Sequence, residues 1–126
     1  MIFFACDARF GESDPYTYQE QLNIFCNADI IMGPHGAGLV NILYAKPGAT
    51  LVEFPTDPHV NRCFGFLSLA LGFSYWAVPA VMANYYSTYN MTEGQADTVI
   101  RVVENIFTER QRVATVNAAL REMGLG

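Results

Sequence analysis

His35 is the side chain best placed to do chemistry. It sits in Gly33-Pro34-His35-Gly36-Ala37-Gly38-Leu39-Val40-Asn41, where three glycines fall within six residues. Gly33, Gly36 and Gly38 would let the backbone take positive φ and come close to a ligand, with Ala37 the one side chain among the last three residues of that turn. A helix starting near Gly38 would offer unpaired N–H groups and a positive dipole end, which suits an anion such as a diphosphate. His35 could donate to a phosphate oxygen or carry charge to it, and Asn41 lies about one turn into the helix. The bare pattern is neither a GxGxxG fingerprint nor a P-loop. A tight strand-to-helix turn with His35 bonded to backbone therefore stays open beside the anion cradle.

Glu53 closes the next apolar run and should share the rim with His35. A carboxylate there could accept the two hydroxyls of a ribose; a solvated or capping carboxylate is the plain alternative. His59, Asn61 and Arg62 follow. Arg62 at a helix start opposes the dipole, a cost that a bound anion would offset and that a salt bridge with Asp57 would also explain. Tyr85, Tyr86 and Tyr89 suit either stacking on a base or sugar, or plain packing. There is no GxSxG, no third ligand at metal spacing beside the two histidines, and Cys26 and His35 straddle a strand.

The elements that must position these groups alternate. Residues 2–6 and 28–32 read as short buried strands, the second apolar throughout, as a parallel strand covered on both faces should be. Between them, Thr17 and Glu20 form a capping box for a helix running to Asn27 with Tyr18, Leu22, Phe25 and Cys26 at helical spacing. Lys46-Pro47-Gly48 breaks the chain before a strand over 49–54. A helix over 60–71 presents Cys63, Phe64, Leu67 and Leu71 and stops at Gly72. A fourth strand covers 75–78. Thr92 caps a long helix with Ala96, Val99, Val103, Ile106 and Phe107 on one stripe and an Asp97–Arg101 pair, and a second helical stretch ends at Gly124. The order predicts one α/β domain over 1–126, a Rossmann-like parallel sheet with helices on both faces, and C-terminal helices over 92–126.

Composition narrows the function classes. The 126 residues suit one domain. Hydrophobic residues are 52% and charged residues 15%, a balance that points to a face covered by something beyond these residues. The net charge of −5, without clustered Lys and Arg, argues against nucleic acid as a partner. Cys6, Cys26 and Cys63 read as buried thiols, with one disulfide as the alternative. No run is long enough for a membrane span and no signal peptide is visible. Asn90-Met91-Thr92 is a glycosylation sequon of little weight alone.

The run from Phe25 to Asn41, followed by Pro47-Gly48 and Val52-Glu53-Phe54, resembles the C-terminal half of the DUF563 glycosyltransferases, glycosyltransferase family 61. That family shows an apolar strand, His-Gly-Ala-Gly/Ala-Leu-Thr/Val-Asn, Pro-Gly and a strand ending in Glu. Gln21 and the segment Gly72 to Trp76 fit the same pattern, so the likeness covers about residues 16–80. It implies the donor lobe of a GT-B-type enzyme that binds a nucleotide sugar, usually a UDP-sugar, and transfers the sugar with inversion to a glycan or protein hydroxyl. On that basis His35 is the catalytic contact to the leaving diphosphate. Gly33, Gly36, Ala37, Gly38, Asn41 and Arg62 join the donor site, and Glu53 holds the ribose. The resemblance further implies no metal cofactor, an N-terminal acceptor domain carrying the general base that is missing from these residues, and a Golgi or ER lumen location for a eukaryotic protein. The rivals are a non-catalytic nucleotide- or phosphate-binding α/β module and a purely structural domain.

Overall fold

The computed structural model describes residues 2–4, 16–55, 62–78 and 92–126. The elements run β1 (Ile2–Phe4), α1 (Tyr18–Asn27), β2 (Ile30–Pro34), a 3-10 helix (Ala37–Tyr44), β3 (Thr50–Phe54), α2 (Cys63–Ala70), β4 (Ser74–Ala77) and α3 (Glu93–Glu122). The chain divides into two compact units, Met1–Tyr89 and Asn90–Gly126.

The first unit is an α/β layer compatible with a Rossmann-like fold. The four strands among the described residues are all parallel and lie in sequence order, β1-β2-β3-β4. Such an order with connections of one hand puts every crossover on the same side of the sheet. The core shows this. Phe25 and Ala28 from the end of α1, Leu39 and Ile42 from the 3-10 helix, and Phe64 from α2 share one cluster with Ile31 of β2 and Leu51 of β3, and Tyr75 of β4 packs against it. The expectation of helices on both faces is therefore corrected for the described connections, which all line one face. The other face is no less apolar: Ile30, Val52 and Phe54 are fully buried. That double burial explains why β2 and β3 read as continuous apolar runs rather than alternating ones.

Capping follows the sequence closely. Thr17 Oγ1 accepts from the Glu20 amide at 3.2 Å while Glu20 accepts from the Thr17 amide at 2.7 Å. Thr92 and Gln95 repeat the device at the start of α3. Gly72 ends α2 with φ of 73°. Its N–H bonds Leu69 O at 3.1 Å and the Phe73 N–H bonds Ser68 O at 2.8 Å, the paired bonds of a Schellman stop. At the amino end of the sheet, Lys46 Nζ sits 2.7 Å from Asp29 Oδ1 and holds that carboxyl down at about 2.

Three expectations change in detail. β2 extends to Pro34, so Gly33 is inside the strand rather than in the turn. Cys26 and Cys63 are exposed and not disulfide-bonded, not buried, because α1 and α2 turn Phe25 and Phe64 inward instead. The C-terminal segment is one continuous helix of 30 residues. Its ion pair joins Arg112 to Glu109 at 2.9 Å rather than Asp97 to Arg101, and Phe107 is exposed while Val99 and Ile106 are buried. No described helix is long and apolar enough to cross a membrane. Cys6, Asp57, His59, Asn61 and the tyrosines at 85, 86 and 89 lie outside the described residues.

Gly72→Ala should lower the unfolding free energy by about 1 kcal/mol, because alanine resists positive φ. Urea titration of the two chains measures the difference.

Candidate functional site

The site is built on the carboxyl ends of β2 and β3. Register pairs Gly33 with Glu53 and Pro34 with Phe54. The ladder continues one step past the strand, where the His35 amide donates to Phe54 O at 2.9 Å. His35 is thus fixed at the strand tip by its own backbone before its side chain makes any contact. Side chains alternate along a strand, so Glu53 points to the same face as Leu51, the helix-lined face. Gly33, beside it, adds no side chain there.

Glu53 is completely buried. Its Oε1 is bonded to His35 Nδ1, and its Oε2 accepts the Tyr75 hydroxyl. With Glu53 as a carboxylate, which only accepts, the shared proton is assigned to Nδ1, and Nε2 lies across the ring. The His35 ring is largely enclosed, with 14% of its side chain exposed. It leans on Phe64, ring centroids 5.2 Å apart and planes tilted by 57°.

Tyr75 is held just as closely. An added Cβ on Gly65 would stand 3.1 Å from Tyr75 Cε1 and 3.2 Å from Cζ, so only glycine lets α2 lie so near that ring. Burial, then the Glu53 carboxylate, pushes the Tyr75 phenol well above its usual value, and the charge of Arg62 pulls the other way. Arg62 is exposed at the start of α2, without a side-chain cap bond.

The rest of the turn is open. Gly36 precedes the 3-10 helix in extended backbone, with φ of 176°. A Cβ there would meet only Pro34 O, at 3.9 Å, and one on Gly38 would meet nothing within 4 Å. None of Gly33, Gly36 and Gly38 has a left-handed φ, which corrects the expectation that the turn needs that conformation. Neither strain nor crowding among the described residues calls for glycine at positions 36 and 38. Asn41 is half-buried within the 3-10 helix.

The structure therefore brings His35 and Glu53 together and gives Glu53 work that the sequence reading did not assign. Both carboxylate oxygens are occupied from within, and none of the side chain reaches solvent, so in this arrangement it is not presented to a ribose. Tyr75, Phe64 and Gly65 were missed as site residues. The signal was weak: a strand tyrosine and a Phe-Gly pair on an apolar helix look like core.

The family model of glycosyltransferase 61 matches residues 6–52. The match supports that family and, in general terms, a glycosyltransferase. It includes β2, His35 and the 3-10 helix, and it stops one residue before Glu53. No curated protein and no solved structure matches the chain.

Tyr75→Phe should cost about 1–3 kcal/mol at neutral pH by leaving a buried acceptor unpaired. The raised phenol adds a pH signature. Its folded form holds the proton more tightly than the unfolded form, so its contribution is whole below the unfolded value of 10.0 and fades as pH rises past it. Urea midpoints from pH 8 upward should fall more steeply for the native chain than for Tyr75→Phe. Gly65→Val should cost about 1–3 kcal/mol by overpacking against Tyr75, read in the same titration.

Proposed function

We propose that this chain supplies the donor-binding lobe of an inverting, GT-B-type glycosyltransferase that uses a nucleotide sugar, with UDP as the nucleotide. The carrying observation is that the segment matched to glycosyltransferase 61 contains His35, and that a buried carboxylate holds this histidine at the carboxyl end of a parallel sheet. Ligands of open α/β sheets bind at that end.

In this reading the acceptor hydroxyl oxygen attacks the sugar C1, and the C1–oxygen bond to the diphosphate breaks with its electron pair leaving on the diphosphate. The acceptor proton goes to a base on the acceptor domain. His35, carrying a second proton on Nε2 while its Nδ1–H stays on Glu53, meets the charge that grows on the leaving group, an interaction stronger in the transition state than before it. Gly36 and Gly38 let phosphate oxygens approach the N–H groups at the start of the 3-10 helix. Arg62 adds charge from the rim, and Gly33, Ala37 and Asn41 complete the wall. Glu53 serves by holding His35, and the ribose falls to other groups.

The acceptor is a glycan or protein hydroxyl, the chemistry is metal-independent, and the setting for a eukaryotic protein is the ER or Golgi lumen. Calorimetric titration with UDP tests the donor site. Binding at millimolar concentration or tighter is expected, weakened about tenfold or more by His35→Ala, the scale of one lost charge-assisted contact. Absence of any response to UDP or UDP-sugars overturns the reading.

A further inference from the structure

Outside His35 and Glu53, Tyr75 is the side chain most tightly built into this site, and the transfer step as written does not use it. Its hydroxyl reaches the one carboxylate oxygen that His35 leaves. Its ring lies on Gly65, and the preceding residue, Phe64, is the one that supports the His35 ring. Two successive residues of α2 thus brace both ends of a Tyr75–Glu53–His35 chain of hydrogen bonds. β4 brings Tyr75 in at the level of Leu51, two residues below Glu53 on the same face, so the phenol reaches along the strand to the carboxylate.

We propose that Tyr75 is a positioning residue: by donating to Glu53 Oε2 it commits Oε1 to His35 Nδ1–H and leaves Nε2 as the ring atom available to a ligand. A carboxylate held by one partner can rotate and offer either oxygen. Held by two, one on each oxygen, it has one orientation, and the Nδ1 proton has a fixed acceptor. This is how an outer partner fixes tautomer and ring angle of a working histidine. Because burial drives the phenol's pKa upward, the hydroxyl keeps its proton through the neutral range and the donor is always present. The proposal rests on His35 being the ligand-facing group, as read above, but the arrangement of protons is a property of the chain without ligand.

Nitrogen-15 NMR of the histidine ring on the whole chain, without nucleotide, tests it. The native chain is expected to show a protonated Nδ1 whose hydrogen exchanges slowly with solvent. Tyr75→Phe is expected to speed that exchange at least tenfold, with the helix content by circular dichroism retained, while Tyr18→Phe, at an exposed tyrosine pair 3.3 Å apart, leaves it alone. Glu53→Gln gives a second, independent readout. Tyr75 claims the amide carbonyl, the amide NH₂ then faces Nδ1, and the ring proton should move to Nε2. A folded Tyr75→Phe with unchanged Nδ1–H exchange overturns the proposal. Should that variant not fold, a Glu53→Gln chain that keeps its proton on Nδ1 overturns it equally. Failure of UDP to bind would count against the donor-site reading and leave these signals where they are.

Discussion

A carboxylate buried at the carboxyl end of an apolar sheet is the constraint the rest of this structure answers to. Removing such a group from water costs several kcal/mol, and only partners inside the fold can return it. Glu53 has two, one from each neighbouring strand's territory: His35 past the end of β2 and Tyr75 on β4. Truncating either partner would leave a buried acceptor unpaired. A leucine at position 53 would suit β3 better on packing grounds alone. What the glutamate supplies instead is a fixed orientation for a histidine at the sheet edge.

The surroundings are consistent with that priority. Gly65 yields helix propensity, about 1 kcal/mol against alanine, so that the Tyr75 ring can lie on α2. Phe64 spends its burial on the imidazole as well as on the core. Beyond the rim the demands relax: Gly36 and Gly38 are bare without any described neighbour that requires it.

Much of this was legible in the sequence, for identifiable reasons. Strands β2 and β3, both capping boxes and the stop at Gly72 depend on local chemistry, and local chemistry is what a sequence displays. His35 was found because glycine and proline flank it. The partner of Glu53 was not found, since which side chains a strand carboxylate meets depends on register between segments eighteen and twenty-two residues apart. Tyr75 looked like one more aromatic in a strand. The face on which the described crossovers pack was not legible either, because alternation of strand and helix says nothing about strand order. Exposure of Cys26 and Cys63 turned on a rotation of α1 and α2 that favours neighbouring phenylalanines.

The sequential strand order has a kinetic consequence. Each strand pairs with the one before it, so every closure in the first unit spans a short stretch of chain, and loop entropy grows only slowly with such spans. Folding can advance as a zipper along the sheet, with low contact order for a parallel architecture. In that sequence β3 docks on β2 and brings Glu53 beneath His35 with one oxygen still unmet. The carboxylate becomes fully paired only when β4 arrives with Tyr75. On such a route the strand that joins after β3 is the one that supplies the second donor to the buried carboxylate.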